Sequence, residues 1–271
     1  MKRAQKQYVR QMPKIYGNLQ RKPRSFAGLF RVIKIMFGVG ALGAVAYLFW
    51  FGSYFKVKNV EIVGNHFTAA SDLRAAAPVG QNIWFFNKEQ VATQVLRYPV
   101  VESVGIYRGI PNSLRIVVQE KQPSLVWFSG DTATVLDQDG VAFAQYGRAG
   151  LPLPGTPVGD VLVAVPKVYD VKAVPVTMGK QVASANFITF VRSMHTQWMS
   201  LVPSSPLDHV EIADTTYDVT FVGTTGLRVL TDSLGDPGAQ ARNLARLLEQ
   251  KKAGPTSAVD LRIDRWAYVT N

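Results

Sequence analysis

The sequence contains no cysteine. That excludes a disulfide framework, a thiolate metal site and a cysteine nucleophile. Only three histidines are present, His66, His195 and His209, too few for a histidine-rich metal cage. Acidic residues are missing from positions 1–34, which hold ten Lys/Arg and no Asp/Glu. Positions 56–271 hold twenty Lys/Arg against nineteen Asp/Glu. The formal net charge of +11 therefore belongs to the tail, and the bulk of the chain is near neutral. A domain that coats phosphates carries its own excess charge, so nucleic acid is excluded as a partner. No P-loop, HExxH, nucleophile elbow or glycosidase-type carboxylate pair occurs. The sequence implies no enzyme, cofactor, metal or small-molecule substrate.

What is present begins with a long apolar run, IMFGVGALGAVAYLFWFGSYF, from Ile35 to Phe55. Its 21 residues carry no charge and as a helix would span roughly 31 Å, the thickness of a bilayer's hydrocarbon core. Nine of them are Leu, Ile, Val or Phe, worth about 3–5 kcal/mol of insertion free energy. Trp50, Tyr54 and Phe55 lie at the C-terminal end, as an interfacial aromatic belt would. They occupy the place where a signal peptide would carry small residues for cleavage, so the run reads as a retained anchor. Basic residues crowd the N-terminal side, against Lys56 and Lys58 beyond the run. The positive-inside rule then keeps the N-terminus in the cytoplasm and puts 56–271 outside. The tail 1–34 reads as disordered, with charge suited to anionic lipid. Gly38, Gly40 and Gly43 match GxGxxG, but that motif works at a strand-to-helix turn in water; inside an apolar helix they are membrane-helix glycines.

Beyond the span, VKNVEIV (57–63) reads as a half-buried strand ended by Gly64 and Asn65. A helix starts at Ser71, with Leu73, Ala76 and Ala77 on one face, and stops at Pro78. Asn87 caps a second helix with Val91, Val95 and Leu96 at helical spacing. VVESVGIYR (100–108) and SLRIVVQEK (113–121) follow as strands, with Leu114, Ile116 and Val118 on one face. Val60, Ile62 and Leu114 are expected in the core. The order is β-α-α-β-β, with both helices on one face of a three-stranded sheet.

The next strands are expected at 125–128, 133–136 and 141–143. Asp137 to Gly140 resembles an EF-hand start but lacks the later ligands, so it reads as a hairpin turn. Residues 147–181 contain five Pro and five Gly and read as a long irregular surface connection. Phe187, Val191, Met194 and Trp198 recur along 184–200 as the face of an amphipathic helix; His195 on it is not a catalytic candidate. Strands 207–214, 217–223 and 226–232 follow, then a helix after Pro237 with Ala241, Leu244, Ala245 and Leu248 in one stripe. A single last strand is expected over SAVDLRIDRWAYV (257–269).

The frame V-x-x-V-E-I-x-G-N, an S-x-x-L helix, G-x-N-I, Y-P-x-V and R-x-x-P-x-x-L-x-I-x-V-x-E-x-x-P resembles a POTRA domain. Residues 123–127 and 136–143 resemble the start of the β-domain of the FtsQ/DivIB family, as does the order of tail, span, POTRA domain and β-domain. The fold class expected is α+β: a single transmembrane helix, the β-α-α-β-β POTRA domain, then a mostly antiparallel β-domain with flanking helices. The boundaries expected are 1–34 tail, 35–55 span, 56–122 POTRA, 123–265 β-domain and 266–271 C-terminal tail. The resemblance implies a non-enzymatic, single-pass scaffold of the bacterial divisome at the septum, with FtsB- and FtsL-type proteins as partners. It implies that the V-D-L-R strand and its continuation receive the partner by strand addition: Val259, Asp260, Leu261, Arg262, Ile263, Asp264, Arg265 and Trp266. Arg262 is then a candidate ion-pair partner for the incoming chain, and Trp266 and Tyr268 are candidate anchors. Arg265 and Trp266 depart from the family pattern, which places a small residue there. A different reading is a POTRA-bearing chaperone of translocation or outer-membrane assembly, but the region after 121 is too short for a membrane barrel.

Overall fold

The structure, a computed structural model, describes residues 26–250, 257–263 and 267–270. The chain divides into two bodies, with the break between Gly52 and Ser53.

The first body is helix α1, Ala27–Phe51. Twenty-five residues at 1.5 Å each give about 37 Å, enough to cross a bilayer. The apolar stretch Gly28–Phe55 has a mean hydropathy of 2.0. Its side chains are exposed along nearly the whole helix, a surface suited to hydrocarbon rather than water. The helix begins eight residues before Ile35 because Arg31 and Lys34 are good helix formers whose long stems can reach a headgroup layer. It ends at Phe51, and Ser53–Phe55 form one 3-10 turn.

The second body starts with β1 (Asn59–Val63), α2 (Ala70–Ala75), α3 (Lys88–Val95), β2 (Val101–Gly109) and β3 (Ser113–Glu120). The sheet order is β1-β3-β2, with β1 parallel and β2 antiparallel to β3. The expected order and the Asn87 cap hold; α2 starts at Ala70, without a side-chain cap, and ends at Ala75, before Pro78. Asn87 accepts hydrogen bonds from the backbone N–H groups of Glu89 and Gln90, satisfying two of the helix's orphan donors. Leu114, Ile116 and Val118 are buried, together with Leu73, Val91 and Val95 from the helices.

The remainder builds a nine-stranded sheet, in order β12-β11-β10-β9-β8-β7-β4-β5-β6. Its strands are β4 (Leu125–Ser129), β5 (Thr132–Leu136), β6 (Ala142–Gly147), β7 (Lys167–Asp170), β8 (Leu207–Ile212), β9 (Asp218–Gly223), β10 (Arg228–Asp232), β11 (Ala258–Asp260) and β12 (Tyr268–Thr270). Five neighbouring pairs are antiparallel and three are parallel. Helices α4 (Pro157–Ala164), α5 (Ala185–Leu201) and α6 (Pro237–Glu249) complete it. Helix α5 runs between the parallel strands β7 and β8, and α6 between β10 and β11, as crossovers do. Ser184 caps α5 through Phe187 N–H, and Asp236 caps α6 ahead of Pro237. Phe187, Val191, Met194, Trp198, Ala241 and Leu244 share one core with the strands.

Two expectations change. The Pro/Gly-rich 147–181 stretch is not simply a surface connection. It contains α4 and β7, and β7 sits inside the sheet with β4 on one side and β8 on the other. Val168 is fully buried there. The expected last strand over 257–269 is instead two strands, β11 and β12, paired antiparallel.

The expected division at 122/123 is not a slack joint. Lys121 N–H donates to Val100 O, Ser124 N–H donates to Leu136 O at 2.8 Å, and Lys121 Nζ reaches Asp137 Oδ2 at 2.6 Å. One hydrophobic cluster holds Leu114 and Ile116 of the first sheet together with Val126, Val135, Phe143 and Leu162 of the second part.

A candidate docking edge and the family it belongs to

The nine-stranded sheet has two outer strands, β6 and β12. Strand β12 is reached through β10, α6 and β11. Backbone pairing sets Arg228 against Ala258, Val229 against Val259 and Leu230 against Asp260. Leu261 N–H extends the ladder to Leu230 O at 2.8 Å. On its other side β11 pairs with β12, Val259 against Val269 and Asp260 against Tyr268. The V-D-L-R strand is therefore an interior strand. Val259 is fully buried and Leu261 nearly so; both side chains pack in the core of the sheet. Among the described residues the outer backbone edge on this side is that of β12, where Tyr268 is 62% exposed and Val269 packs against the core.

Arg262, the expected ion-pair residue, has partners within the chain. Its guanidinium is held within the chain: Nη2 donates to Asp260 Oδ2 at 2.6 Å, Nε to Asp260 Oδ1 at 3.0 Å and Nη1 to Asp218 Oδ1 at 3.2 Å. The same Asp260 accepts the Arg262 backbone N–H. Hydrogen bonds from Arg262 hold the Asp260 carboxyl below its ordinary range, and the two aspartates hold the Arg262 proton more firmly than usual. An incoming carboxylate would compete with two resident ones. Ile263 is half-exposed beyond β11. Asp264, Arg265 and Trp266 lie outside the described residues.

The same face of the sheet carries a second charged group. Burial pushes the Glu211 carboxyl up, but hydrogen bonds from Arg228 and His209 outweigh it and leave Glu211 below its ordinary value. His209 Nδ1 lies 2.7 Å from Asp208 and its ring meets Tyr169 edge-on.

A residue without an assigned role in the sequence analysis holds the three-stranded sheet to its loop. Glu120 is 6% exposed. Its Oε2 accepts the backbone N–H groups of His66 and Phe67 at 2.6 and 2.8 Å, and Oε1 accepts that of Thr68 at 3.0 Å. The signal was present: Leu114, Ile116, Val118 and Glu120 alternate onto one face, so Glu120 points inward with them. Its charge, after burial, contributes to raising the Tyr146 hydroxyl's pKa. This gives a physical reason for the glutamate in the I-x-V-x-E frame.

Residues 55–121 match the family model described as POTRA domain, FtsQ-type. The Cell division protein FtsQ of Chloroflexus aurantiacus is 35% identical over 91 residues, 33% of this chain and 34% of that protein. FtsQ of Chloroflexus aggregans is 34% identical over 116 residues, 42% of this chain and 40% of that protein. The Cell division protein DivIB of Clostridium acetobutylicum is 26% identical over 90 residues, 32% of this chain and 36% of that protein. The chain thus spans between about a third and two fifths of the length of these relatives. Residues 55–121 thus carry an FtsQ-type POTRA domain, and the chain is similar over a third to two fifths of its length to the FtsQ and DivIB cell division proteins.

Proposed function

We propose that this protein is a single-pass, non-enzymatic scaffold of the divisome. Its N-terminus lies in the cytoplasm and its POTRA and β-domains lie outside. It links division proteins at the septum and helps to regulate septal peptidoglycan synthesis by association. The partners are FtsB- and FtsL-type bitopic proteins. The observation that carries the reading is the open edge of β12 at the end of the nine-stranded sheet. An outer strand offers unpaired N–H and C=O groups to an incoming strand. The docking segment proposed from the sequence, 259–266, keeps its place as the support of that edge: β11 holds β12, and the residues between them connect the two. Basic residues before α1 favour the proposed orientation.

Adjacent residues of a strand point their amides to opposite sides, so a proline scan of β12 separates folding from docking. Tyr268→Pro and Val269→Pro are compared in the full chain in nanodiscs, with calorimetric titration of the extracytoplasmic segments of the same organism's FtsB and FtsL. One proline removes a ladder donor to β11; the other removes only an outward donor. The expected result is one folded variant that no longer binds. Unchanged binding by two folded variants would remove β12 as the docking edge, and a wild-type chain that binds neither segment would remove the partner assignment.

A further inference from the structure

Two tryptophans are deeply buried in the β-domain core, Trp127 on β4 and Trp198 on α5. The Trp198 indole Nε1–H donates to Ser205 O at 2.8 Å. Trp127 is 5% exposed, and among the described residues its Nε1–H is a buried side-chain donor with no partner. Buried donors are nearly always satisfied, so an orphan asks for an explanation in its surroundings.

Trp127 lines a pocket of about 390 Å³. The pocket opens at the carboxyl ends of the parallel strands β7 and β8, where open sheets commonly bind ligands. Part of its wall is aliphatic, Val174, Val176, Val182 and Ile212, and the rest is polar, with Lys180, Gln181 and Thr215 among it. The acidic groups at its mouth are already engaged. Asp170 accepts the backbone N–H groups of Lys172 and Val174 at 2.9 and 3.1 Å, and Asp214 takes Lys172 Nζ at 2.6 Å. The Trp127 N–H is thus an unused donor in a pocket with one aliphatic wall.

The rim is built in advance. Val174 is fixed at both its backbone groups, by Asp170 and by Ser129 Oγ donating to Val174 O at 2.6 Å. Between them Ala173 is held at φ 54°, a left-handed conformation a non-glycine residue adopts only under constraint. The result presents Val171 and Val174 outward, 65% and 57% exposed. Aliphatic side chains displayed beside a pocket extend its apolar surface past what a small molecule needs.

We propose that this pocket receives an extended apolar peptide segment of a protein partner. A backbone carbonyl of that segment accepts the Trp127 indole N–H, and an aliphatic side chain fills the space between Val176, Val182 and Ile212. The site belongs to the Pro/Gly-rich stretch and the strands beneath it. It is separate from β12, which lies at the end of the same sheet.

The test uses the full chain in nanodiscs with its five tryptophans labelled at the indole nitrogen. N-acetyl-valyl-valine N-methylamide is titrated into the millimolar range, and Trp127→Phe assigns the signal. The expected result is a saturable shift of the Trp127 resonance. N-acetylglycine N-methylamide, which offers carbonyls without aliphatic bulk, leaves it in place. Val174→Asp alters only an exposed rim position and weakens binding about tenfold or more, since it sets a charge against an aliphatic ligand. The proposal is overturned if the resonance does not move and shows only exchange with water. It is equally overturned if the glycine compound acts as well as the valine one, or if Val174→Asp binds like the wild type.

Discussion

Replacing Glu120 by alanine removes one carboxylate from three backbone donors. A hydrogen bond to a charged group is worth about 1.5–3 kcal/mol net when its donor is desolvated. The three do not add in full, because one carboxylate serves them all and His66 lies in a half-open loop that can rehydrate. The loss expected for Glu120→Ala is about 2–4 kcal/mol, a large part of a domain's stability. Glu120→Gln is more discriminating. Its carbonyl can take the Oε2 position and keep the His66 and Phe67 N–H groups, but its amide then faces Thr68 N–H donor to donor. Its expected loss is about 1–2 kcal/mol. Urea unfolding of the full chain in detergent micelles gives the order wild type, Gln, Ala. Amide exchange gives the location: the amides of residues 66–68 lose protection in both variants, Thr68 most in Gln. The reasoning is refuted if both variants stay within about 0.5 kcal/mol of wild type, the range of neutral surface changes. It is refuted as well if those three amides exchange freely in the wild-type protein.

Val168→Asp in β7 unfolds the β-domain, seen as loss of near-ultraviolet circular dichroism, because it buries an unpaired charge beside β4 and β8; Val161→Asp, on the exposed side of α4, leaves the spectrum intact. Arg262→Ala lowers stability by no more than about 1 kcal/mol, and the difference shrinks in high salt, since the pair with Asp218 and Asp260 is largely exposed. Burial lowers the His195 pKa from its ordinary value. A histidine with a depressed folded pKa contributes stability that is present above the unfolded pKa and lost as pH falls through the folded one. Unfolding free energy therefore declines as pH drops below about 6.5, and His195→Gln removes that part of the slope. Asp260 and Glu211, both below their ordinary values, add a separate decline in the acid range under about pH 4.

The membrane-proximal sheet is legible because its signals are local. Alternation at Leu114, Ile116 and Val118 fixes the inner face, and Asn87 stands where a cap must. Helix α5 is legible from Phe187, Val191, Met194 and Trp198 alone. Strand β7 is not, because Lys167–Asp170 is four residues long with a charge at each end. Its place depends on β4 and β8, some forty residues away on either side, and no local pattern encodes that pairing. The β11–β12 hairpin is hidden for another reason. Turns are recognised by Gly, Pro or Asn, and the stretch from Leu261 to Ala267 has none, so the two strands read as one. The interior position of β11 and the contact of Arg262 with Asp218, distant in sequence, are likewise set by pairings that no local pattern encodes.

The shared core across residues 121–124 turns two domains into a single lever. Residues of both sheets share one hydrophobic cluster, so bending one sheet away from the other would expose Leu114, Ile116, Val126 and Val135 together. The cost of separating the two sheets is then that of exposing a common apolar core to water, which favours their unfolding as one unit.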